Sequence, residues 1–166
     1  MPVAANKPDR IRVSGGRVID PAGGVDAEQD VFIAAGRIAA TGSAPDGFTP
    51  DLEIDASGCI VCPGLVDLSA RMREPGNEHK ATIASESRAA ASGGITTLCC
   101  PPDTYPVIDT PAVTELIRLR AETTGLTRIV TLGALTRGLA GEQLSEMAAL
   151  RKAGPRIAKK IIKQMQ

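Results

Sequence analysis

The residues best suited to chemistry lie together in the run VDLSARMREPG, residues 66–76. It follows the apolar stretch CIVCPGL and ends at a Pro-Gly turn, which predicts a short strand ending in a polar mouth. Side chains two apart share a strand face, so Ser69, Arg71 and Arg73 point the same way if the strand extends that far, with Asp67 beside them. That face carries a hydroxyl, two guanidinium groups and a carboxylate. A hydrolytic metal site would need imidazole or further carboxylate here, because arginine offers no lone pair to a divalent ion. The pattern is that of an active-site strand without its metal ligands.

Elsewhere the candidates are few. The single histidine, His79, lies past the Pro-Gly turn near the expected start of a helix and is read as a surface residue. One histidine cannot build a histidine-rich metal centre. Oxygen ligands could in principle come from Asp67, Glu74, Asp103 and Asp109. Cys59 and Cys62 have the spacing of half a zinc ribbon, but the adjacent pair Cys99 and Cys100 cannot supply the other half. All four cysteines lie in apolar, strand-like runs and are expected to be buried thiols. Gly15-Gly16, Gly23-Gly24 and Gly93-Gly94 read as turns or helix stops, since none lies in a phosphate-cradling motif. No serine has a histidine available to activate it.

The elements that must position the 66–76 run fall into two rhythms. Residues 1–62 form a β-rich segment of short strands punctuated by turns, with hairpins expected at Gly15-Gly16 and Ala35-Gly36 and the loop GSAPDGFTPD between two strands. Residues 63–154 alternate strands with helices. Strand LVDLSA precedes a helix over 78–92, strand ITTLCC precedes a helix over 111–123, and strand TRIVTLGAL precedes a helix over 142–153. Thr110 and Pro111 supply an N-cap and a first-turn proline, and Gly93-Gly94 supplies a stop. The acids of the 142–146 stretch complement a helix start. Three strand-helix units in a row imply a parallel sheet. Residues 155–166 are a basic tail: the final stretch RKAGPRIAKKIIKQMQ, residues 151–166, carries six cations and no acid, and a helix after Pro155 would gather Ile157, Ile161, Ile162 and Met165 on one face.

Composition narrows the class. The chain has 166 residues, with 19 Lys plus Arg against 19 Asp plus Glu, so no net field draws nucleic acid or an anionic membrane. One tyrosine, two phenylalanines and no tryptophan leave a core built from small aliphatic side chains. No apolar run reaches the length of a membrane span, and MPVAANKPDR lacks the blocks of a secretory signal, so a cytoplasmic protein is expected.

Three runs, CPGLVDLSARMREPGNEHK, AAASGGITTLCCPPDTYPVID and LGALTRGLAGEQLSEMAALRKAG, together resemble the N-terminal part of a dihydroorotase, a cyclic amidohydrolase of pyrimidine biosynthesis. The resemblance implies an α/β fold, with N-terminal β-sandwich strands followed by the first three βα units of an incomplete (β/α)8 amidohydrolase barrel. It also implies a zinc centre at the C-terminal ends of the strands. The H-x-H ligand positions of the family's first barrel strand are here Ser69 and Arg71, so the ligand pair is absent and no cofactor is expected. The arginine that takes the substrate carboxylate is retained as Arg73. The substrate-binding asparagine of the P-N-T motif corresponds to Asp103, whose charge repels an anionic substrate. Arg71 could stand in for the missing dication by pairing with acidic groups.

The resemblance thus implies an inactive homologue, since similar inactive members associate with aspartate carbamoyltransferase. The expected partners are aspartate carbamoyltransferase catalytic chains, within an oligomer. Two other readings stand beside it: a metal-dependent cyclic amidohydrolase using other ligands, and a truncated module serving only in interaction.

Overall fold

In a computed structural model, residues 8–154 and 156–157 are described. The chain divides between Pro63 and Gly64 into two compact units.

Among the described residues the first unit holds seven short strands: β1 (Arg10–Ser14), β2 (Arg17–Asp20), β3 (Val25–Glu28), β4 (Asp30–Ala34), β5 (Arg37–Gly42), β6 (Leu52–Asp55) and β7 (Ile60–Val61). They form two sheets, ordered β5-β4-β1-β6 and β3-β2-β7. The hairpin at Ala35-Gly36 forms as expected. Ala35 (φ 50) and Gly36 (φ 69) are both left-handed, which gives the two-residue turn whose twist suits antiparallel strands. The hairpin expected at Gly15-Gly16 does not form. β1 pairs with β4 and β6, whereas β2 pairs with β3 and β7, so the glycines carry the chain from one sheet to the other. A Cβ on Gly16 would come within 3.1 Å of the Ala56 Cβ, so this glycine serves close approach and not strand reversal. Val18, Val31 and Phe32 are buried, and the Phe32 ring meets Phe48 edge-on at 5.2 Å.

In the second unit the strands β8 (Leu65–Asp67), β9 (Ile95–Cys100), β10 (Arg128–Gly133) and β11 (Arg156–Ile157) form one parallel sheet in that order. Between them run α1 (Ile83–Ser92), α2 (Pro111–Thr124) and α3 (Met147–Lys152). Arg156 and Ile157, expected to open a helical tail, instead add a fourth strand opposite Leu132 and Gly133. Residues 158–166 of that tail lie outside the described residues.

Local chemistry sets the helix bounds. α1 starts at Ile83, later than expected, because Thr82 caps it: its hydroxyl accepts the Ser85 N–H, and the Ser85 hydroxyl accepts the Thr82 N–H. Ile83, Ser87 and Ala90 form its buried face. α2 begins at Pro111 and ends at Gly125, which is left-handed at φ 63. α3 starts at Met147 and not near Glu142. The preceding residues are held elsewhere: Gln143 accepts the Arg137 N–H at 2.8 Å, Leu144 bridges Thr136, and the Ser145 hydroxyl donates to the Ala134 carbonyl at 2.6 Å. Glu142 therefore begins no helix, and Glu146 is the N-cap residue of α3 without a side-chain capping bond.

The core of this unit gathers Met72, Ile83, Ala90, Leu98, Cys100, Ile108, Val113 and Ile117. Burying each such aliphatic side chain contributes about 1.5–3 kcal/mol. Met72 is the link to the site, since its burial anchors the run that carries Arg71 and Arg73.

Candidate functional site

β8 is shorter than the sequence suggests. The Asp67 carboxylate accepts the Ser69 N–H at 2.8 Å, a local turn that takes the chain out of the strand. Ser69, Arg71 and Arg73 are therefore carried on the loop after β8 and not on one strand face. The ladder survives as one further bond, from the Ala70 N–H to the Cys99 carbonyl at 2.9 Å.

Arg71 reaches across to the loop after β9, where its Nε donates to Asp103 Oδ2 at 2.7 Å. The pair is half-exposed, with 56% and 40% of the two side chains accessible. The hydrogen bond to Asp103 raises the Arg71 pKa, so the guanidinium stays charged throughout the physiological range. Arg73 is left-handed at φ 64, and among the described residues it makes no ion pair. Its neighbour Glu74 is largely buried. One carboxylate oxygen accepts the Ile83 N–H at 2.8 Å, and the other lies 3.6 Å from Arg120 Nε.

The loops bound two hollows. The larger, about 700 Å³, is lined among others by Asp67, Ser69, Arg71, Arg73, Lys80 and Glu86. The smaller, about 40 Å³, lies among Arg71, Arg73, Asn77, Asp103 and Thr104. Lys80 and Glu86 were not legible as site residues, since one sits in a turn and the other in the first turn of α1 without a motif to mark it.

Ser69 and Arg71 provide no metal-binding pair, and each of the four carboxylates named in the sequence already accepts a hydrogen bond. Asp67 holds the Ser69 N–H, Asp103 holds Arg71, Glu74 holds the Ile83 N–H, and Asp109 holds the Gly138 N–H at 2.8 Å. Among the described residues no three His, Cys, Asp or Glu side chains converge. His79 is exposed in the turn before α1.

The cysteines need correction. Cys100 is buried, and burial pushes its thiol up to about 11, while Cys99 is half-buried. Cys59 and Cys62 are exposed, because they flank β7, a two-residue strand at the edge of its sheet.

Residues 58–160 match the family described as dihydro-orotase-like. A dihydroorotase-like protein of Pseudomonas aeruginosa is 54% identical over 144 residues, which is 87% of this chain and 34% of that protein. A dihydroorotase of Solibacter usitatus is 48% identical over 145 residues, 87% of this chain and 33% of that one. The chain thus spans about a third of the length of these relatives. Among solved structures, the L-hydantoinase (dihydropyrimidinase) of Arthrobacter aurescens superposes with a TM-score of 0.70 at 23% identity, over 86% of this chain and 30% of that one. Molinate hydrolase superposes at 0.58 with 28% identity, over 78% of this chain and 31% of its own. The architecture shared with these structures is a mixed α/β arrangement with several sheets. With well over half its residues matched, the chain belongs to the dihydro-orotase-like family.

Proposed function

We propose that this chain is a non-catalytic, dihydroorotase-related protein of pyrimidine biosynthesis. In this reading it acts in the cytoplasm and supports aspartate carbamoyltransferase by binding its catalytic chains. The four parallel strands are read as the opening strands of a (β/α)8 barrel. The observation that carries the reading is the donor set after β8. A metal-dependent hydrolase must bind and activate water, and here the ligand positions hold a hydroxyl and a guanidinium, with Arg71 committed to Asp103 at 2.7 Å. Exposed Leu65, Val66 and Leu68 at the β8 edge support assembly into an oligomer.

The test combines zinc analysis of the purified protein, a dihydroorotate hydrolysis assay in both directions, and co-purification with aspartate carbamoyltransferase catalytic chains. Expected are no stoichiometric zinc, no turnover, and a stable complex. Turnover with bound zinc would favour a working amidohydrolase, a reading that relatives named dihydroorotase at 44–48% identity keep in play. Absence of the complex would refute the scaffolding role.

A further inference from the structure

We infer that Arg71 and Asp103 form an ionic clamp that fixes the loops after β8 and β9 to each other without a metal. The inference rests on the metal-free reading above and goes further, because it assigns the replacing residues a structural task.

Three contacts join these loops. The Tyr105 N–H donates to the Pro75 carbonyl at 3.1 Å. Gly76, at φ 104, lies so near Tyr105 that a Cβ would overlap its backbone. The third is the Arg71–Asp103 pair, joining residues 32 apart in the chain, and it is the one ion pair between these loops among the described residues. Divalent ions organise such loop ends by drawing donors from several strands to one point. Here a cation carried by one loop and an anion carried by the other do the same with their own side chains. The two substitutions depend on each other. Asp103 without Arg71 would lose its one ion-pair partner among the described residues, and Arg71 without Asp103 would lose its own, since Asp67 and Glu74 are bonded elsewhere. The clamp steadies Tyr105, whose ring is 78% exposed at the loop tip.

Tyr105 is the only tyrosine, and the chain has no tryptophan, so its fluorescence reports this loop alone. The experiment measures that fluorescence together with hydrogen–deuterium exchange of residues 101–107, using the β4–β5 hairpin as an internal reference. It compares the unaltered protein with Arg71→Gln, Asp103→Asn and the exchanged pair Arg71→Asp/Asp103→Arg. Each single variant is expected to speed exchange in 101–107 by about two- to five-fold over the reference, as for a half-exposed pair. The exchanged pair recovers most of that protection. In the unaltered protein, raising salt from about 0.05 M to about 1 M is expected to speed the same segment selectively, since the Debye length shrinks several-fold. The clamp is overturned if the single variants exchange at the original rate, if the exchanged pair behaves as the sum of two losses, or if salt leaves 101–107 unchanged relative to the reference. Zinc content and hydrolysis bear on the reading beneath it and leave these measurements untouched.

Discussion

Replacing Glu74 by alanine would remove one side chain that serves two helices. Its carboxylate is only 13% exposed and accepts the Ile83 N–H at 2.8 Å, the first amide of α1, while facing Arg120 on α2 at 3.6 Å. A hydrogen bond to a charged group of this kind is worth about 1.5–3 kcal/mol. The favourable position at a helix N-terminus is part of that figure and is not added again. The Arg120 contact is long and its arginine is 62% exposed, so it adds at most a few tenths, about 0.3 kcal/mol. Glu74→Ala is therefore expected to lower unfolding stability by about 2 kcal/mol. Glu74→Gln, which keeps an acceptor but loses the charge, should cost about half as much. Urea unfolding followed by far-ultraviolet circular dichroism at neutral pH measures both. A Glu74→Ala variant within about 0.5 kcal/mol of the original protein, the usual range for a surface substitution, would refute the role of Glu74 in holding the first amide of α1.

Two other outcomes follow from the geometry. Ala35 sits at φ 50 in its two-residue turn, and glycine enters that region without the Cβ penalty, so Ala35→Gly should stabilise by about 0.5 kcal/mol in the same urea assay; a loss would contradict the turn. The Cys100 thiol is pushed from 9.0 to about 11 by burial. The folded state therefore keeps this proton where the unfolded state gives it up, and the stability it contributes is present below pH 9.0 and lost as pH rises towards about 11. Cys100→Ala should flatten that alkaline decline, and a thiol reagent should label Cys59 and Cys62 in the folded protein while Cys100 reacts only on unfolding.

What the sequence disclosed was mostly what single residues dictate. Pro111 and Thr110 marked the start of α2, and Ala35-Gly36 marked a turn, because each acts through its own backbone geometry. Gly15-Gly16 looked the same but served a crossing between sheets, a role set by Ala56 and Val61 from far along the chain. The start of α3 was misplaced for a similar reason: the bridge between Thr136 and Leu144 outweighs the helix-favouring acids. At the site, the residue types of 66–76 were legible, whereas the reading of Ser69 and Arg71 as ligand positions rested on the resemblance. The length of β8 was not, since alternation cannot reveal that Asp67 turns back onto the Ser69 amide. Arg71 invited an acidic partner, but only the pairing of β8 with β9 shows that Asp103 is the one.

The sheet pairing of the first unit also governs when it can form. β1 lies parallel to β6, with Ile11 opposite Leu52, and β2 lies parallel to β7, with Arg17 opposite Ile60. The first strands of this unit thus wait for its last. The β4–β5 hairpin can close on its own, but the sheet of β1 stays incomplete until Asp55 has emerged and that of β2 until Val61, and each must then close a long loop before its contacts repay it. Until then β1 and β2 each keep an unpaired edge, which exposes this unit to aggregation while it forms.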